Sequence, residues 1–255
     1  MGIQTIPKRD YLKLAQSFHW ASADHYNLVF FGDTDRHKRT EVMLPRLVSM
    51  GKLKALRYGR KLVYSVPRRT RKKPKDFFYG DEAARKRYEN DLLLELYQVE
   101  HGLPCTEGLV RFWLSDRSGE IVPEKEFKRI NRGQLGVPEW GIIYPKEDNE
   151  RTMLLYELCT EDNFYRPRNV KRKIERYQET LFEYEEHFKC EAIILFVLDV
   201  PYEVVDRFVE EIVPTGEQFW FTDYKSFLKV PMGEQLYAPI YTWGMDGKWH
   251  PLRSS

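Results

Sequence analysis

Cysteine is scarce in this chain: there are three, Cys105, Cys159 and Cys190, odd in number, far apart and without a Cys-x-x-Cys pair. That excludes a disulfide framework and a zinc or dithiol motif built on paired cysteines, so all three are expected as buried thiols. No apolar run approaches the roughly 20 residues needed to cross a bilayer, and Met1 to Lys8 lacks the charged, apolar and small-residue order of a signal peptide. No membrane partner is expected, and the chain reads as cytoplasmic. A phosphate-cradling glycine loop, a His-Glu-x-x-His helix and a nucleophile elbow are all missing, and the histidines at 19, 25, 37, 101, 187 and 250 are scattered.

What the chain does have is a division of charge. Residues 1–75 hold 18 Lys and Arg against 5 Asp and Glu, a net +13, which leaves −11 for residues 76–255 within a whole-chain charge of +2. Such asymmetry predicts two modules with different partners, and a basic block containing aromatics suits nucleic acid better than it suits a merely solvated tail. At 255 residues and 42% hydrophobic content, the chain can form one large domain or two smaller ones with real cores.

Three helical patterns lead the basic module. Tyr11, Leu12, Leu14, Ala15 and Phe18 recur at roughly helical spacing after Pro7, and a second short helix starts at a Ser22 or Asp24 cap and stops at Gly32-Asp33. The third follows Arg36-His37-Lys38-Arg39-Thr40 and carries Val42, Met43, Leu44, Leu47, Val48 and Met50 as far as Gly51. Pro45 interrupts it, so a kink there, or a helix beginning near Leu44, is expected. Leu53 to Tyr58 and Lys61 to Val66 read as two strands joined by Gly59-Arg60. Three short helices and a basic ribbon over residues 6–67 resemble the winged helix-turn-helix fold. The resemblance implies DNA contacts from Arg36, Lys38, Arg39, Thr40 and Arg46 on the third helix and from Arg57, Tyr58, Arg60 and Lys61 on the wing. Use of the same fold for protein contacts stays open, against 15 Lys and Arg with one acidic residue between Arg36 and Lys75.

Domain boundaries follow from composition: 1–67 for the basic domain, 68–80 for a linker and 81–255 for a second domain. In the linker, Arg68, Arg69, Arg71, Lys72 and Lys73 stand among prolines, which predicts an extended segment able to track phosphates. Ala84, Tyr88, Leu92, Leu93, Leu96 and Tyr97 mark a helix from Asp81 to Tyr97 that Gly102-Leu103-Pro104 should end, and Leu109 to Leu114 reads as a strand. Residues 124–136 read as loop or short helix. Gly141 to Tyr144, Met153 to Cys159 and Ala192 to Leu198 are apolar runs of strand type. The last two are joined by a helix from Asn169 to Phe188, which predicts parallel pairing. Pro201 to Ile212 has the spacing of an amphipathic helix, Phe219 to Thr222 reads as a strand, and Tyr237, Tyr241, Trp243 and Trp249 are expected as core aromatics.

The hairpin carries a chemical question. A restriction-endonuclease-like core places one acid at the start of a strand and Asp or Glu, any residue, then Lys on the next, because two carboxylates hold a divalent metal and the Lys offsets charge developing on phosphate. Glu139, after Pro138, and Glu157 supply the acids, but Cys159 stands where the Lys belongs. Lys171 or Lys173 on the following helix is the candidate replacement. The plainer alternative has Glu139 in a turn and Glu157 paired with a neighbouring Arg. Cations at 168, 171, 172, 173 and 176 crowd the positive end of that helix, so Arg168, Lys171 and Arg172 either await an anion such as phosphate or pair with Glu175 and Glu179.

The order of winged helix, linker, Pro-acid, strand ending in Glu157, helix Lys171-Arg172-Lys173-Ile174-Glu175-Arg176-Tyr177 and apolar strand 192–198 resembles the replication-relaxation proteins of plasmids, phages and integrative elements. The resemblance implies an α+β or α/β chain in which a winged helix-turn-helix precedes a restriction-endonuclease-like mixed sheet flanked by helices, the latter usually without a full catalytic set. The expectation is a double-stranded DNA-binding protein acting in replication or transcription control of a mobile element, with homodimerisation one role open to its second domain. Cys159 tilts this reading away from an enzyme and from a bound metal or other cofactor. A metal-dependent DNA endonuclease using Glu139, Glu157 and Lys171 or Lys173 with Mg or Mn is the alternative.

Overall fold

The computed structural model describes residues 7–67, 82–131, 136–146, 150–159, 167–198, 218–224, 241–243 and 249–251, with backbone alone for residues 82–94, 167–169, 241–243 and 249–251. Among these the chain is a mixed α+β protein with six helices and two open sheets, of three and seven strands. No described helix is long and apolar enough to cross a membrane. The chain divides into two compact units, residues 1–107 and 108–255.

Unit one begins with α1 (Lys8–Ser17), β1 (Ala21–Ser22), α2 (Ala23–Phe31) and α3 (Lys38–Ser49), then β2 (Lys54–Tyr58) and β3 (Lys61–Ser65). Tyr11, Leu14 and Ala15 of α1, Tyr26 and Leu28 of α2 and Leu44 and Leu47 of α3 are buried, as helical spacing requires. The Ser22 backbone N–H donates to His25 Nδ1 at 3.1 Å and helps start α2. Pro45 neither ends nor begins α3: it lies in the eighth of twelve positions, with its ring exposed. β2 and β3 pair antiparallel with Tyr58 opposite Lys61, and Gly59 takes φ 57° in the two-residue turn. The two-residue strand β1, which is too short to leave a periodic signal, pairs with β3 and completes the order β1-β3-β2.

The long helix α4 (Glu82–Ser115) corrects two expectations. Gly102 and Pro104 do not end it, and Leu109 to Leu114 is helix, not strand. Four successive residues, Leu109 to Phe112, are buried, so the run has no apolar face from which its period can be read. Its glycines are packing sites. A Cβ on Gly102 would lie 2.9 Å from His19 Cβ in unit one, and one on Gly108 would lie 2.7 Å from Cζ of Tyr156 in unit two.

Unit two continues with β4 (Glu120–Pro123), α5 (Glu124–Ile130), β5 (Trp140–Pro145), β6 (Arg151–Cys159), α6 (Pro167–Phe188), β7 (Glu191–Leu198), β8 (Phe219–Asp223), β9 (Tyr241–Trp243) and β10 (Trp249–Pro251). The sheet order is β10-β9-β8-β7-β6-β5-β4. β6, β7 and β8 run parallel, and antiparallel strands extend the sheet on both sides. The parallel pairing of β6 with β7 is what a helical crossover demands. Met153, Leu155 and Cys159 of β6, with Ala192, Ile194 and Phe196 of β7, join one core with Val170, Ile174, Tyr177, Leu181 and Tyr184 of α6. On the opposite face Tyr156 stacks on Trp140 with ring centroids 4.4 Å apart, and Phe112 packs beside Trp140. The stretch expected as a helix over 201–212 lies outside the described residues, as do Tyr237 and the side chains of Tyr241, Trp243 and Trp249.

Candidate functional site

The β5–β6 hairpin brings the two acids near each other. Glu139 lies in a bend directly before β5; its backbone N–H donates to the Tyr156 carbonyl at 2.9 Å, one residue off the ladder register that pairs Trp140 with Tyr156, and it lies close enough for its charge to act on Glu157. The segment leading into Glu139 is anchored from α6: Tyr184 Oη donates to the Gly136 carbonyl at 3.1 Å and lies 3.2 Å from Asn131 Nδ2. Pro138 is buried beside it.

By strand alternation Glu157 shares the face of Leu155 and Cys159, the face covered by α6. It is 4% exposed, and two residues one helical turn apart on α6 meet it: Lys173 Nζ donates to Oε1 and Tyr177 Oη donates to Oε2. The structure therefore brings Glu157 and Lys173 together in unit two, with Glu139 near enough for its charge to act on both. Cys159 is buried where the sequence pattern would have a Lys, and the ammonium reaches the acid from the helix instead. Lys171, by contrast, is exposed on α6.

The electrostatics of this cluster point one way. Burial is the largest influence on Glu157 and pushes its carboxyl above the ordinary value, Lys173 pulls it down, and the charge of Glu139 pushes it up again. On Lys173 burial favours the neutral amine, but Glu157, Cys159 and Glu139 outweigh it and raise its pKa. Tyr177 is raised well above the ordinary phenol value by burial and by Glu157. Burial favours the protonated forms of Glu157 and Tyr177, and the neighbouring acids keep the Lys173 proton on. Carboxylates are the hard oxygen donors that a divalent cation prefers, and the repulsion of Glu157 by the Glu139 charge is what such an ion would relieve.

In unit one the residues expected to face DNA separate into three groups. Arg36, Lys38, Arg46, Arg57, Arg60 and Lys61 are exposed, with Lys61 Nζ 2.6 Å from Asp24 and Arg36 Nε 3.9 Å from Glu41. Arg39 is half-buried, and so is Tyr58, which packs against the Trp20, Val63 and Val99 cluster. Thr40 is a correction: it is fully buried and its Oγ1 shares a hydrogen bond with Tyr11 Oη at 3.1 Å, so it lies in the core and not on the surface. Of the α6 residues, Arg172 is exposed, while the side chain of Arg168 and all of Arg68, Arg69, Arg71, Lys72 and Lys73 lie outside what the structure describes.

Sequence reasoning missed Tyr177 as a site residue, placing it only in the helix that follows Glu157. The available signal was its type, since a buried tyrosine brings a hydroxyl that must find a partner. It also passed over two histidine pairs in unit one. His101 Nε2 lies 3.6 Å from Cys105 Sγ, one turn along α4. His25 accepts at Nδ1, so its ring hydrogen is on Nε2, which donates to Glu107 at 3.0 Å. No protein-family model matches the chain, and no curated protein matches it.

Proposed function

We propose that unit two is the core of a divalent-metal-dependent DNA endonuclease of restriction-endonuclease-like type, and that residues 7–67 of unit one form a winged helix-turn-helix that binds the duplex. The single observation that carries the reading is Lys173 Nζ on Glu157 Oε1. It supplies, from α6, the cation that Cys159 does not. Magnesium or manganese held by Glu139 and Glu157 would act as a Lewis acid on the phosphate and make its bound water more acidic. The chain's own groups do the positioning. Tyr177 and Lys173 hold the Glu157 carboxylate in one orientation, and Tyr184 fixes the backbone before Glu139. The Lys173 ammonium, held on Glu157, adds positive charge beside the acids, with the exposed Lys171 and Arg172 on the same helix to meet the flanking phosphate backbone.

The test is conversion of supercoiled plasmid to nicked or linear forms with magnesium or manganese. Wild-type protein is expected to cut, and Glu157→Gln and Lys173→Met are each expected to abolish cutting. Residual cutting by Glu157→Gln would assign the activity elsewhere.

A second reading is supported by one specific feature, that both oxygens of Glu157 are already engaged within the chain. On that reading the hairpin and α6 are a structural core. The protein is then a non-enzymatic, replication-relaxation-like DNA-binding protein acting in replication or transcription control of a mobile element. No cutting with either metal, together with salt-sensitive duplex binding, selects it.

A further inference from the structure

The outermost line of α3 is unusual for a surface amid so much positive charge. Lys38, Val42, Pro45 and Ser49, at i, i+4, i+7 and i+11, point away from the buried side that holds Thr40, Leu44 and Leu47. Val42 is 58% exposed, and the middle of the line offers no side-chain hydrogen-bond donor or acceptor to a partner. Glu41, exposed on one flank, is directed towards Arg36, and Arg46 is exposed on the other. An apolar pair with Lys38 at one end and Arg46 on one flank, and with Glu41 turned to Arg36, fits a polyanion that carries apolar groups in a groove. In duplex DNA that group is the thymine 5-methyl, which side chains such as Ala and the Thr methyl contact in the major groove. Charge complementarity selects duplex DNA over an apolar protein partner, for which flanking Arg and Lys would have to be desolvated.

We infer that Val42 and Pro45 read thymine methyl groups, so that unit one selects its site by apolar contact at one or two thymines while the surrounding cations hold phosphates. This rests on the duplex-binding reading of unit one and is independent of whether unit two cuts.

The probe is a duplex recovered by selection from a random pool with the full chain, resynthesised with each thymine replaced in turn by deoxyuracil, which removes only the methyl. Wild-type binding, measured by fluorescence anisotropy, is expected to weaken roughly fourfold at one or two positions, the value of one buried methyl. Val42→Ser is expected to bind the thymine and uracil forms alike at the position Val42 faces, and Arg46→Ala to weaken both equally. Three results overturn the inference. Equal wild-type affinity for both forms removes it while leaving duplex binding intact. Absence of duplex binding removes it together with the reading it rests on. A dimer that Val42→Ser dissociates, with no methyl effect, assigns the face to a second copy of the chain.

Discussion

Glu157 holds a carboxylate inside a sheet core, and its neighbours decide what that costs. Two charges out of water are tolerable only when paired and hydrogen-bonded, and here both oxygens are taken. Lys173→Met should therefore lower stability by about 3–5 kcal/mol near neutral pH, the usual result of stranding a buried charge. The pH dependence has a definite sign. The Glu157 carboxyl is raised in the folded chain, so between the unfolded and folded values the native state binds more protons and stability falls as pH rises. Removing Lys173 removes a lowering influence, which extends that window upward. Urea unfolding should show a smaller loss near pH 5 than near pH 8, and adding Glu157→Gln should recover much of it. A loss that is the same at both pH values would mean that packing, not charge, is the cause. Tyr177→Phe leaves one charged acceptor unmet and should cost about 1–3 kcal/mol by the same measurement, with Lys173 still on Oε1.

Among the elements, α4 and α6 make opposite points about reading helices. α6 announces itself, because its buried residues Val170, Ile174, Tyr177, Leu181 and Tyr184 keep to one face while the other carries charge. α4 does not, because Leu109 to Phe112 are buried on every side and Gly102, Pro104 and Gly108 look like stop signals. Those glycines are there for closeness. At Gly108 the Tyr156 ring sits against the helix backbone and is itself stacked on Trp140, so it has nowhere to retreat. Gly108→Ala should lose about 1–3 kcal/mol from overpacking, read as a lower urea midpoint for unit two. An unchanged midpoint would mean that helix and ring separate easily. The hairpin β5–β6 was legible as two strand runs, yet its register was not. Only the observed pairing of Trp140 with Tyr156 brings Glu139 within electrostatic reach of Glu157.

At the scale of the molecule, the unit boundary at residue 107 lies beyond the charge division at residue 75, and unit one still carries a net +8 against −6 for unit two. If unit one binds duplex through phosphates, log affinity should fall linearly with log salt. The combined change Arg36, Lys38, Arg39→Ala should reduce that slope by up to about 3, roughly one per lost phosphate contact, and weaken all sequences alike. A slope unchanged in the triple variant would place the contacts elsewhere. Glu157→Gln should leave the slope untouched, since its carboxylate belongs to the buried cluster of unit two.

By itself the sequence determined the charge division, the helices and ribbon of unit one, the strand runs 141–144, 153–159 and 192–198, and the departure at Cys159. All of these are local properties, set by composition or by periods of 2 and 3.6 residues. Only the tertiary structure decided that Lys173 and not Lys171 meets Glu157, that Tyr177 completes the contact, that Thr40 lies inside and that Leu109 to Leu114 is helical. Those outcomes depend on which turn of a helix lies over which strand position, and that is fixed by packing between residues distant in the chain, where no short window of sequence carries the answer.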